Sequence, residues 1–87
     1  TIVSDPAVRS GRPVIAGTQV MVSDIAIYHD VWMQTPDEIA AQLDLTLGQV
    51  HAALAYYFDH KAEIDAEIAE SERIADELRE ELTRGRD

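Results

Sequence analysis

The chain has 87 residues, no cysteine, and seventeen acids against seven bases, for a formal net charge of −10. That length holds one small domain with at most an appendage, and the lack of cysteine excludes a disulfide scaffold and a cysteine zinc site. The longest apolar stretches are a few residues, so no membrane span is expected. No basic stretch leads into an apolar run, so no signal peptide is expected and a cytoplasmic protein is the default.

Only Arg9 and Arg12 are basic in the first 60 residues, beside seven acids, and the last 27 residues hold five bases and ten acids. A free-standing nucleic-acid binder carries a basic patch, and neither part has one. A basic partner protein complements such a surface; the alternative is acidity that serves solubility alone. Composition divides the chain near Lys61. Residues 1–60 carry 31 of the 40 hydrophobic residues, all five aromatics and all three prolines. The expected organisation is a domain over 1–60 and a partner-binding helix over 61–87.

In chain order, Thr1–Ser4 is β-prone, and Asp5-Pro6 and Ser10-Gly11-Arg12-Pro13 are breakers. Val14-Ile15 and Val20-Met21-Val22 flank Ala16-Gly17-Thr18-Gln19, which predicts a small hairpin or two short strands. Ser23 is placed to cap a helix Asp24–Val31 with Val22 and Ile27 as its staple. Thr35-Pro36-Asp37-Glu38 is a capping box with proline at the first helical position, opening Pro36–Leu43. Thr46-Leu47-Gly48-Gln49 is a second box, opening a longer helix to about Asp59 that buries Val50, Leu54, Tyr57 and Phe58. With only Asp44-Leu45 before the second cap, these two helices form a helix-turn-helix pattern. A fourth helix is expected from about Ala62 to Thr83, with a seam of Ile64, Ile68, Ser71, Ala75, Leu78 and Leu82 stepping 4, 3, 4, 3, 4, widened by Ile74. So narrow a stripe suits a partner helix or groove; the alternative is a helix folded back on the core. The fold class expected is mainly α: a small N-terminal hairpin, a three-helix helix-turn-helix domain and a long amphipathic C-terminal helix.

No enzyme, cofactor or metal site is expected. His29, His51 and His60 lack metal-ligand spacing, the serines have no nucleophile-elbow context, and the glycines form no phosphate loop. Trp32-Met33 reads as a core plug between helices, with an exposed partner anchor as the alternative. On the presumed recognition helix, Gln49 and His51 face outward, and Gln49 could pair with adenine. Phosphate contacts would fall to Arg9 and Arg12. No base lies between Arg12 and Lys61, so DNA binding by the chain alone should be weak. The short strands and exposed hydrophobics near the N-terminus predict pairing with a second copy.

Gly11–Val22, Thr35–Leu43, Leu45-Thr46 and Val50–Tyr57 together resemble the domain-of-unknown-function family 433, over roughly Ile2 to Asp59. The Gly-Arg-Pro-Val-Ile and Gly-Thr pieces, with the later Ala52-Ala53-Leu54-Ala55-Tyr56-Tyr57, carry the likeness. Gln19 and Met21 stand where the family usually has arginine and proline, and the linker before Thr35 lacks its usual glycine. The resemblance implies a helix-turn-helix antitoxin of a bacterial type II toxin–antitoxin module, whose C-terminal segment neutralises a PIN-like ribonuclease toxin. Toxin contacts would then fall on Ile64, Ile68, Arg73, Ile74, Leu78, Arg79, Leu82, Arg84 and Arg86. An arginine among these would pair with the toxin's metal-holding carboxylates, while the acids mask its RNA groove. Operator DNA would be met through Arg9, Arg12, Gln49 and His51. The expected assembly is a homodimer or a toxin–antitoxin hetero-oligomer. A DNA-binding regulator without a toxin, or a dimerising adaptor, are the other readings.

Overall fold

A computed structural model describes residues 1–85. The chain is mainly helical, with a two-stranded antiparallel sheet at its N-terminus and a long helix at its C-terminus. Strand β1 (Ile2–Val3) pairs with β2 (Val14–Ile15) in the register Ile2 to Ile15 and Val3 to Val14. The expected hairpin partner of β2 is present only as a single bridge, Val14 to Met21, supported by Ile15 N–H to Val20 O at 3.0 Å and Val22 N–H to Pro13 O at 3.0 Å. Val22 already belongs to the next helix, so the run is one residue too short for a strand, and the β-prone N-terminus takes the other edge of β2. Gly17, at φ +78, supplies the left-handed residue of the intervening turn, which no side chain would adopt readily.

Helix α1 (Val22–Ala26) begins one residue before Ser23, which is buried inside it. The end is closed from the other direction: Asp24 Oδ2 accepts the Met21 N–H at 3.0 Å. The expected helix to Val31 continues instead as a π-helical turn, Ile27–Val31. Helix α2 (Pro36–Leu43) and helix α3 (Leu47–Asp59) have the predicted bounds, because both boxes form. Thr35 Oγ1 accepts the Glu38 N–H at 3.2 Å and Glu38 Oε1 accepts the Thr35 N–H at 3.0 Å. Thr46 and Gln49 exchange the same pair of bonds at 3.1 and 2.8 Å. Asp44, in the left-handed region at φ 55, stops α2, and the Leu45 N–H reaches back to Ala40 O at 2.9 Å.

Helix α4 (Lys61–Arg84) follows α3 after the single residue His60, whose φ of −128 and ψ of 36 break the helical path. The Ile64 N–H bonds to His60 O at 3.0 Å, so the new helix is hydrogen-bonded from its first turn. The core joins Ile15, Val22, Ile25, Ala26, Ile39, Val50, Ala53, Leu54, Tyr57 and Ile64. Ile64 is fully buried and Ile68 packs against the same cluster. The first two turns of α4 are therefore built into the domain, because the 3.6-residue repeat of α4 turns Ile64 and Ile68 onto α1 and α3. Phe58, expected inside, is exposed: its neighbour Tyr57 takes the inward position, and adjacent helix residues point about 100° apart.

Candidate partner-binding surface

The junction of α3 and α4 fixes the direction in which α4 leaves the domain. The Tyr57 hydroxyl donates to Asp65 Oδ1 at 2.8 Å, while Lys61 Nζ donates to Asp65 Oδ2 at 2.8 Å and to the Tyr57 oxygen at 3.0 Å. Lys61, and then Tyr57, hold the Asp65 carboxyl below the ordinary aspartate range. Asp65, and then Tyr57, hold the Lys61 ammonium more firmly protonated than a free lysine. Burial is the main reason the Tyr57 hydroxyl is raised. His60 stacks on Tyr56 with ring centroids 4.0 Å apart.

The last anchor of α4 is Ser71, whose Oγ accepts a 2.9 Å hydrogen bond from Arg12 Nη1. Beside it, burial pushes the Glu67 carboxyl up and Arg12 pulls it part of the way back. From Glu72 to Gly85 every residue is exposed. The molecule measures 48 × 28 × 23 Å because this arm projects past the domain. Along it Ile74, Leu78 and Leu82 are 42, 54 and 69% exposed and spaced by four, so they form one apolar stripe.

The expected toxin contacts therefore fall into two groups. Ile74, Leu78 and Leu82 are accessible together. Ile64 is withdrawn into the core, where no partner reaches it, and Ile68 is mostly engaged there. Arg73 pairs with Glu70 at 2.5 Å and Glu77 at 2.6 Å, which raises its already high pKa, chiefly through Glu70. Arg79 pairs with Asp76, and Arg84 lies 3.8 Å from Glu80. Arg86 lies outside the described residues. With its bases paired along the helix, α4 presents a surplus of carboxylates, nine acids against four bases.

The four residues expected to meet DNA are not a ready set. Arg9 and Arg12 flank one shallow hollow with Ser10 and Met21. Arg9, Ser10 and Gly11 share a left-handed turn there, at φ 51, 58 and 80. Arg12 is committed to Ser71. The Gln49 carbonyl, one half of a bidentate adenine contact, is occupied by the Thr46 N–H. His51 is exposed on α3. Among the described residues, no hydrogen bond or ion pair joins either arginine to Gln49 or His51.

Trp32 is not a core plug. It is exposed, with Val31 and Met33 on either side, because the π turn carries Val31–Met33 outward and Tyr28 covers only one edge of the indole. Apolarity alone did not reveal this; the signal in the sequence is three consecutive large apolar residues where a one-faced helix would bury at most two.

Among the described residues, no group of three or more His, Asp or Glu is placed to hold a metal ion, and no helix is long and apolar enough to cross a membrane. No curated protein and no solved structure gives a significant match to the chain. The strands, helix α2, all but the last two residues of α3 and most of the core lie within residues 2–57, the segment matched by the model of DUF433, a family of proteins of unknown function, and the chain belongs to that family.

Proposed function

We propose that the chain is an antitoxin acting in the cytoplasm, which neutralises a PIN-like ribonuclease toxin with the exposed arm of α4. The observation that supports this most is the Ile74–Leu78–Leu82 stripe on a helix that has left its own domain. An apolar stripe of this kind, lying along a helix with nothing on its other side, is the pattern of a helix that docks in a groove. The antitoxin role implied by the sequence resemblance to DUF433 is what suggests a ribonuclease groove as the seat. Helix α4 begins beyond the matched residues, as a variable partner-specific segment would.

Inhibition would work by occlusion and by charge. The stripe seats the helix, and its surplus carboxylates face the basic path that carries RNA. An arginine of the arm, Arg79 or Arg84, exchanges its exposed helix partner for the toxin's metal-holding carboxylates. That exchange costs little, since exposed ion pairs contribute about 0–1 kcal/mol. Helix α2, the Asp44–Thr46 turn and helix α3 favour a second, subsidiary role in operator binding. With Gln49 and Arg12 already engaged, that role requires charge from the toxin.

The test is to express the neighbouring reading frame, which this reading expects to be a small PIN-like ribonuclease, and to titrate its RNA cleavage with the full chain. Cleavage should stop near molar equivalence. Undiminished cleavage at excess chain, with no complex on co-purification, contradicts the reading.

A further inference from the structure

The structure holds a second unpartnered surface, remote in sequence from the α4 arm. Val31, Trp32 and Met33 are 64, 56 and 79% exposed, a run of three large apolar side chains facing water. Backbone hydrogen bonds and a ring contact fix the run on the π turn. The Trp32 N–H bonds to Ile27 O at 3.1 Å, the Gln34 N–H bonds to Tyr28 O at 3.0 Å, and the Tyr28 and Trp32 rings meet edge to face at 4.6 Å. Met33 adopts φ 56, a left-handed conformation unfavourable for a side chain with a Cβ, yet its side chain gains almost no burial in return. A π turn followed by such a residue is the kind of irregularity that persists where a surface is used.

Beside this knuckle lies a groove of about 490 Å³, with Val20, Ile27, Tyr28, Trp32 and Leu43 as its apolar lining and Arg9 and Asp24 as its charges. We propose that the Val31–Met33 knuckle and this groove form the contact of a two-fold homodimer, each copy's knuckle seated in the other's groove. Local charge fits a second copy here, although the net charge of the whole chain opposes one. The chain carries −10, so contact almost anywhere else brings acid against acid. This lining carries one base and one acid. A two-fold axis that brings Arg9 of each copy opposite Asp24 of the other would give the self-complementary pattern an isologous interface requires. Arg9 has no ion-pair partner among the described residues, and Asp24 spends only Oδ2 on the α1 cap. Knuckle and groove share Trp32, so a single rotation engages both. The contact leaves α4 free and does not depend on a toxin.

Trp32 is the only tryptophan, which makes it a reporter. In the full chain without any partner, sedimentation equilibrium should give a monomer–dimer transition in the micromolar range. Trp32 emission should shift to the blue with the same midpoint. Met33→Glu keeps the reporter and alters a side chain outside the core, so the monomer should melt as the parent does. Its dimer should dissociate about tenfold more readily or worse, as expected at the centre of an interface. Arg9→Glu should weaken the dimer as well. The proposal is overturned by a monomer throughout, by a dimer whose formation leaves Trp32 emission unchanged, or by a Met33→Glu dimer as tight as the parent. It is equally overturned if Trp32 becomes shielded only on adding a ribonuclease.

Discussion

Ile64→Ala should destabilise the free chain by about 2–5 kcal/mol, the cost of removing a buried isoleucine and leaving a cavity. Ile64 is fully buried between α1 and α3 although it belongs to the C-terminal helix. A chain of this size has a total stability of only about 5–15 kcal/mol, so the substitution removes a large share of it. Chemical denaturation should show a lower midpoint with an unchanged slope, the signature of lost stability without a change in the surface exposed on unfolding. If Ile64→Ala instead melts like the parent and only weakens a partner, the domain ends at His60 and the whole of α4 is an appendage.

Leu78→Asp should do the reverse. Leu78 is exposed, so an aspartate there meets water in the free chain and should leave its unfolding nearly unchanged. Once the arm is seated on a ribonuclease, the substitution forfeits the roughly 1.5–3 kcal/mol of a buried leucine and places an unpaired charge in the contact. Calorimetric titration should record binding weaker by at least ten- to a hundredfold, about 1.4–2.8 kcal/mol. Unweakened binding, or a lower melting temperature of the free chain, would remove the stripe from the account.

Much of this could be read from the residues because the signals are local. Both capping boxes lie within four residues, and the structure returns Pro36–Leu43 and Leu47–Asp59 with the caps as written. What the residues do not reveal depends on distance in the chain or on geometry without a residue signature. Strand β2 could pair with the following segment at Met21 or with the preceding one at Ile2–Val3, and alternation of side chains does not choose between them. The π turn at Ile27–Val31 widens a helix without a glycine or proline to mark it. The compositional step at Lys61 is genuine, but a domain boundary follows contacts, and Ile64 crosses it. For the surface, the stripe of Ile74, Leu78 and Leu82 was legible from spacing. The exposure of Trp32 was not, since a large apolar residue in a small domain is ordinarily needed inside. Nor could spacing show that Arg12 holds Ser71, a bond spanning 59 residues, or that Gln49 and the arm's arginines are already engaged.

Helix α4 has two parts, a root fixed in the domain and an exposed arm, and on the proposed reading the arm gains its contacts from a ribonuclease. Amide hydrogen exchange of the full chain, alone and with the ribonuclease, tests this most directly. In the free chain, amides of residues 64–68 should be protected with the core, and those of residues 74–84 should exchange rapidly, because a helix without packing is marginal in water. On adding the ribonuclease, protection should extend along residues 74–84 and change little in the root. Strong protection of 74–84 in the free chain, or none gained in the mixture, would contradict the account.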